Sequence, residues 1–249
     1  MITIRGPENR TLNIAHRGAS SLAPENTFAA FDLALEIGAD GLEFDVQLSK
    51  DNIPVVIHDE SAERTTSGAG PVKELTLAEL KTFDAGSWFT SEFKGAAVPT
   101  LEEVLTTYKD SCPLFDIELK NRFTTYPGLE EAVLKQIATY SLEEKVIISS
   151  FNAESLVNCR RLNPSIRTGI IYLEEIKEPW HYARFLGCYS VHPLFYYLQD
   201  PDLLAGFRAH SIPLYPWAVN DPEQMKYLAS ENIEAIITDF PQELKKILQ

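Results

Sequence analysis

Two histidines, an arginine and a pair of carboxylates stand at the ends of short apolar runs: Ile14-Ala15-His16-Arg17-Gly18, Leu42-Glu43-Phe44-Asp45-Val46 and Val56-Ile57-His58-Asp59. Strand ends are where a parallel-sheet enzyme carries its chemistry. A further run, Leu114-Phe115-Asp116-Ile117-Glu118-Leu119-Lys120, repeats the alternation of charged and apolar residues. Side chains of an extended strand alternate between faces, so Glu43 and Asp45 share one side, opposite Leu42, Phe44 and Val46. By the same rule Asp116, Glu118 and Lys120 share a side. If these strands are neighbours, their carboxylates cluster. Like charges at such range repel by about 1 kcal/mol per pair in water and about four times that at an effective dielectric near 20. The cluster therefore needs a compensating cation or raised pKa values. Ligation by carboxylates alone suits Mg2+ or Ca2+ rather than Zn2+. Glu43, Asp45 and Glu118 are the expected ligands of one divalent cation. The alternatives are a solvated face of an antiparallel sheet, or a structural ion-pair network such as Asp116 with Arg17 or Lys120.

Histidine titrates near neutrality, so one ring can take a proton while another gives one. His16 and His58 are the expected general acid/base pair. Asp59 either orients a ring or caps the turn. His192 ends a later strand and is a weaker candidate for the same pocket, while His181 and His210 lie in helical segments and read as surface. Arg17 and Lys120 are natural phosphate clamps, one by a two-pronged fork and the other as a point charge; simple pairing with the carboxylates competes with that role. Gly18 permits close backbone approach. Asn26 is a plausible cap of the first helix, and Glu25 either adds to the metal shell or braces it. Trp217 ends a late strand and walls either the alcohol part of a substrate or the core.

Elements able to position these groups alternate along the chain. Strand patterns cover Leu12–His16, Gly41–Gln47, Leu114–Leu119, Val146–Ser150, Thr168–Tyr172, Cys188–His192, Ile212–Pro216 and Ala235–Thr238. Helical patterns cover Thr27–Ile37, Thr100–Lys109, Pro127–Thr139, Ala153–Leu162, Pro179–Phe185, Pro201–His210, Pro222–Glu231 and Gln242–Leu248. Thr76, Thr100 and Ser141, each with Glu three residues on, fit the capping box. Asp200 and Asp221 precede proline at a first helical position. Strand–helix alternation over this length favours a closed (β/α)8, or TIM, barrel as a single domain. An open doubly wound sheet is the alternative, and no GxGxxG turn supports it. Residues 59–99 break the rhythm with many Gly, Ser and Thr residues. They read as a small insertion after the second strand, over the barrel mouth, with Trp88, Phe89 and Phe93 suggesting that it packs on something; a plain surface excursion is the alternative.

The chain has 249 residues, is 45% hydrophobic and 23% charged, and carries a formal net charge of −14. That balance excludes a nucleic-acid footprint, which needs a basic face, and disfavours docking on an anionic membrane. An anionic substrate must find a locally positive site, which Arg17, Lys120 and a bound cation can supply. Cys112, Cys159 and Cys188 are odd in number and widely spaced, and read as free buried thiols of a reducing compartment. Met1–Glu8 lacks a basic-then-apolar leader pattern, and no run reaches the roughly 18 apolar residues of a membrane span. A cytoplasmic enzyme with a small-molecule substrate is the expectation.

Taken in order, these motifs resemble the glycerophosphodiester phosphodiesterase family. The carriers are His16-Arg17-Gly18-Ala19, Pro24-Glu25-Asn26-Thr27, Gly38–Val46, Val55–Asp59, Arg64-Thr65-Thr66-Ser67-Gly68, Pro99–Leu105, Ile117–Lys120 and Ile237-Thr238-Asp239-Phe240-Pro241. The resemblance implies a TIM barrel and metal-dependent hydrolysis of glycerophosphodiesters to glycerol 3-phosphate and an alcohol. It implies His16 and His58 as catalytic residues, Glu43, Asp45 and Glu118 as ligands of Mg2+ or Ca2+, and Arg17 and Lys120 on the phosphate, with Trp217 at the aromatic position. A lyase releasing a cyclic phosphate and a non-catalytic phospho-ligand-binding barrel are the rival functions.

Overall fold

A computed structural model describes residues 10–249; the Met1–Glu8 stretch read for a leader lies outside the described residues. The strands are β1 (Leu12–His16), β2 (Gly41–Leu48), β3 (Pro54–Val56), β4 (Phe115–Leu119), β5 (Val146–Ser150), β6 (Arg167–Tyr172), β7 (Ser190–Pro193) and β8 (Ala235–Thr238). They form one sheet in the order β7-β6-β5-β4-β2-β1-β8, with β3 a short antiparallel partner of β2. All other pairings are parallel. The helices are α1 (Phe28–Ile37), α2 (Leu77–Leu80), α3 (Leu101–Tyr108), α4 (Leu129–Thr139), α5 (Ala153–Leu162), α6 (Pro179–Leu186), α7 (Pro201–His210), α8 (Pro222–Ser230) and α9 (Pro241–Leu248). This is an α/β, TIM-barrel-like architecture.

The expected strand at Ile212–Pro216 is replaced by a hydrogen-bonded bridge between β7 and β8. Val191 N donates to Pro213 O at 3.0 Å and Tyr215 N to Val191 O at 3.0 Å, while Ala235 N donates to Leu214 O and Ile237 N to Pro216 O on the other side. Pro213 and Pro216 have no N–H to give, so the segment links its neighbours without a regular ladder. The hairpin strand β3 was not among the expected elements; its three residues are too short for an alternation to show.

Alternation on β2 and β4 sorts the side chains as expected. Phe44 is fully buried on the helix side, with ring centroids 5.6 Å from Phe31 of α1 and 6.3 Å from Phe115 of β4. Burying such a ring is worth about 1.5–3 kcal/mol. Slipping β2 by one residue would send that ring into the lumen and its carboxylates among the helices, which fixes the register.

Thr76 and Thr100 make full capping boxes with Glu79 and Glu103, and Asp200 and Asp221 cap helices that begin at proline. Ser141 does not cap: it takes a left-handed φ of 55°, and a short 3-10 turn, Glu143–Lys145, follows without a side-chain cap. Thr27, not Asn26, caps α1. Between β3 and α3 the chain makes the short α2 and two 3-10 turns, and Ile57, Val72, Leu80, Ala85 and Val98 gather with Val55 into a separate apolar cluster. Trp88, Phe89 and Phe93 pack edge-to-face on one another in this stretch. All three cysteines are buried and free.

Candidate active site

Strand register builds the site. Glu43 pairs across to His16 on one side and Asp116 on the other, and Asp45 is level with Glu118. One carboxylate oxygen from each of Glu43, Asp45 and Glu118 lies within 4.8 Å of the others. Asp45 Oδ1 is buried without a hydrogen bond. Burial first, then the neighbouring carboxylates, push Glu43 well above the usual carboxylate range. Glu118 is pushed up to about 7, burial outweighing the pull of Lys120. Asp45 goes the other way: burial opposes ionisation, but Arg17, Lys120 and His58 hold it charged. An ionised carboxylate with one oxygen that accepts no hydrogen bond, beside two whose charge is under-compensated, is a donor set that a hard divalent cation fits.

Arg17 and Lys120 stand inside this cluster. Arg17 takes a left-handed φ of 55°, a conformation uncommon outside glycine and frequent at functional sites. Gly18 follows at φ 84°, where a Cβ would lie 2.6 Å from the Ala30 backbone, so the turn requires glycine. The turn directs Arg17 N to Glu43 Oε2 at 3.0 Å, and its side chain to Asp45 at 3.2 Å and Glu25 at 2.8 Å. Lys120 Nζ lies 2.8 Å from Glu118 and 3.5 Å from Asp45. Glu25 therefore binds cations, Arg17 and Arg64, rather than joining the acidic trio. Asn26 uses its amide to donate to Asp45 Oδ2 at 2.8 Å.

Each histidine is held at Nδ1 by a carboxylate. Because β1 and β8 are adjacent, with Ala15 level with Thr238, the residues just beyond them meet: His16 Nδ1 is 2.6 Å from Asp239 Oδ1. Burial opposes the charge of Asp239, but the bonds from His16, Asn220 and Ser20 lower its carboxyl to about 2. His16 Nε2 is left 3.8 Å from Glu43 Oε2. The hairpin carries His58 back toward β2, since Ile57 N donates to Asp45 O at 3.1 Å. Gln47 pins the turn by donating to the carbonyls of Ile57, His58 and Asp59. His58 Nδ1 is 2.6 Å from Asp59 Oδ1. Asp59 is lowered to about 2, chiefly by its bond from Arg64. An ionised carboxylate only accepts, so both rings donate from Nδ1, and in the neutral ring the lone pair is at Nε2. Burial lowers the His58 pKa, against the opposing pull of Asp45.

Deeper in the lumen, His192 faces Asp116 rather than the cations: Nδ1 is 3.3 Å from Asp116 Oδ2, and Ser149 Oγ donates to Asp116 Oδ1 at 2.7 Å. The alternative pairing of Asp116 with Arg17 or Lys120 is thus replaced by a histidine and a serine. His192 shares a small cavity with His16, Glu43, Glu118 and Trp217. Trp217 Nε1 donates to His192 O at 2.9 Å, and its ring meets Phe151 edge-on. His181 and His210 stand on α6 and α7 and pack against Trp180 instead. The sequence reading missed Asp239, Asn220, Gln47 and Arg64 as site residues. Asp239 had a signal, since Thr238-Asp239 closes the last strand; Gln47 looked like one more lumen-facing polar residue.

Imidazoles, carboxylates and cations gathered at one end of a TIM-barrel-like sheet define a class, that of barrel enzymes. The glycerophosphoryl diester phosphodiesterase family matches residues 16–243. A glycerophosphodiester phosphodiesterase of Caldanaerobacter subterraneus subsp. tengcongensis is 45% identical over 240 residues, covering 96% of this chain and 98% of the relative. A phosphodiesterase of Oleispira antarctica, solved in complex with its product sn-glycerol-3-phosphate, superposes with a TM-score of 0.85 at 31% identity over 96% of each chain. The glycerophosphodiester phosphodiesterase of Agrobacterium tumefaciens gives 0.84 at 30% identity over 95% of this chain and 99% of that one. The chain belongs to the glycerophosphoryl diester phosphodiesterase family and is a phosphodiester-hydrolysing enzyme.

Proposed function

We propose that this enzyme hydrolyses glycerophosphodiesters to sn-glycerol 3-phosphate and an alcohol, using one divalent cation, Mg2+ or Ca2+, and two histidines. The observation that carries this reading is the meeting of Glu43, Asp45 and Glu118 within 4.8 Å beside the ring of His16. The family relationship and the product held by the Oleispira relative support the substrate class. Glu43, Asp45 and Glu118 would hold the cation, which when bound supplies Lewis-acid polarisation of the phosphate oxygens.

The chain's own groups do the rest. Arg17 and Lys120 bind phosphate oxygens and stabilise charge growing there. In the free enzyme they pair with Asp45, Glu25 and Glu118, which keeps them pointed at the site. His16 and His58, each fixed through Nδ1, exchange protons through Nε2: one ring, neutral, takes the proton of the attacking hydroxyl group, that of water directly or that of the glycerol before water opens the cyclic phosphate, and the other, entering the step as the imidazolium, gives its Nε2 proton to the leaving alkoxide. Trp217 walls the alcohol side. The chain is read as one domain in which residues 59–99 are an insertion over the mouth; Thr65, Thr66, Ala85 and Val98 line a small cavity with His58 and Glu25. Three buried free thiols favour a reducing, cytoplasmic setting. No helix among the described residues is long and apolar enough to cross a membrane.

A panel of glycerophosphocholine, glycerophosphoethanolamine, glycerophosphoglycerol and glycerophosphoinositol, assayed for glycerol 3-phosphate with phosphorus NMR of the products, tests this reading. Glycerol 3-phosphate from at least one member is expected. A cyclic phosphate as end product would make the enzyme a lyase, and binding without turnover would make it a ligand carrier.

A further inference from the structure

Arg64 has a side chain that is 45% exposed, where a single ion pair contributes little. Its contacts are not single. The guanidinium spans two carboxylates at once: Nε and Nη2 donate to Asp59 Oδ2 and Oδ1 at 2.6 and 3.0 Å, while Nη1 and Nη2 donate to Glu25 Oε2 and Oε1, both at 2.8 Å. Each of those carboxylates also holds a site residue. Asp59 Oδ1 accepts from His58 Nδ1, and Glu25 Oε1 accepts from Arg17 Nη1. The result is one unbroken chain, Arg17–Glu25–Arg64–Asp59–His58, that crosses from the turn after β1 to the stretch after β3.

We propose that Arg64 is a positioning residue, a strut whose forked guanidinium fixes the His58 ring and the Arg17 guanidinium in a common frame. With both oxygens of Asp59 engaged by the fork, the carboxylate cannot turn about its own axis, and the ring bonded to it keeps its tilt and tautomer. Lysine cannot substitute in full, because an ammonium is a point charge without the planar fork that meets two carboxylates. Partners that orient metal-binding side chains change affinity or activity by about 10–100-fold when removed, and a loss on that scale is expected for a partner that orients a proton-transfer ring. The inference rests on His58 and Arg17 acting as read above.

The test compares Arg64→Ala, Arg64→Lys, Asp59→Asn and the double variant Arg64→Ala/Asp59→Asn with His58→Ala as reference. Each is assayed on glycerophosphoglycerol, or whichever diester of the panel turns over, below its melting temperature. Expected are a fall in kcat of about 10–100-fold for Arg64→Ala with KM within about threefold, and a smaller fall for Arg64→Lys. The double variant should lose less than the product of the two single losses, since both changes cut the arm to His58 while Arg64→Ala alone also frees the arm to Arg17. Nitrogen NMR of the His58 ring should shift from one tautomer in the parent to a mixture in Arg64→Ala. An unchanged kcat, a loss carried by KM alone, or losses that multiply in the double variant would overturn the strut. The two readings fail separately: a fast His58→Ala removes the catalytic role of His58, whereas a slow His58→Ala with a normal Arg64→Ala removes only the strut.

Discussion

The Nδ1 atom of His16 stands 2.6 Å from Oδ1 of Asp239, a carboxylate 223 positions further along the chain. The pair joins the first strand to the last, and Asp239 is itself held by Ser20 and Asn220. Asp239→Asn keeps the shape and removes the obligatory acceptor, so the ring can reverse its tautomer. Turnover should fall about 10–100-fold while KM changes little. Steady-state kinetics check this, and a normal kcat would show that Asp239 does not set the ring.

The same carboxyl links stability to pH. It is lowered from its ordinary 3.8 to about 2, the bond and charge of His16 prevailing over burial. A group depressed in the folded state contributes stability that is fully present above its unfolded pKa and is lost as pH falls through its folded one. The window is therefore about pH 4 down to about pH 2, and the contribution about 2 kcal/mol. Urea unfolding across that range should show the parent losing its advantage over Asp239→Asn; parallel curves would contradict it.

His16→Ala and His58→Ala should each reduce turnover by about 10²–10⁴-fold, the usual worth of general acid/base catalysis. Calorimetric titration with Mg2+ or Ca2+ should still show binding in both variants, because neither ring belongs to the carboxylate trio. A near-normal rate in either variant would remove that ring from the mechanism.

Trp217 is fixed by its bond to the His192 carbonyl and by the edge contact with Phe151. Truncating it to alanine should raise KM by about 2–10-fold through loss of a ring contact worth about 0.5–1.5 kcal/mol. The increase should differ among alcohols across the diester panel. A uniform change in kcat, with no dependence on the alcohol, would place the ring in the core instead.

Much of this site was legible because a strand has a period of two. The alternation in Leu42–Val46 and Phe115–Leu119 placed Glu43, Asp45 and Glu118 on a common face without knowledge of the fold. Capping chemistry at Thr76, Thr100, Asp200 and Asp221 was equally local and held. What was hidden depends on which distant segments touch. Nothing near Asn26 reveals that its amide reaches Asp45, or that Thr27 is left to cap α1. Asp116 looked like a partner for cations until β5 and β7 supplied Ser149 and His192. The prolines at 213 and 216 carried a warning that the reading of a strand there overlooked: a residue without an N–H interrupts a ladder even where the segment still joins its neighbours.

Hydrolysis of a glycerophosphodiester, followed first in excess EDTA and then after dialysis into Mg2+ or Ca2+, tests the meeting of Glu43, Asp45 and Glu118 most directly. The account predicts that glycerol 3-phosphate release stops in chelator, returns with the cation, and fails to return in Glu43→Gln or Asp45→Asn. Full activity in chelator, or metal rescue undiminished in those variants, would contradict it.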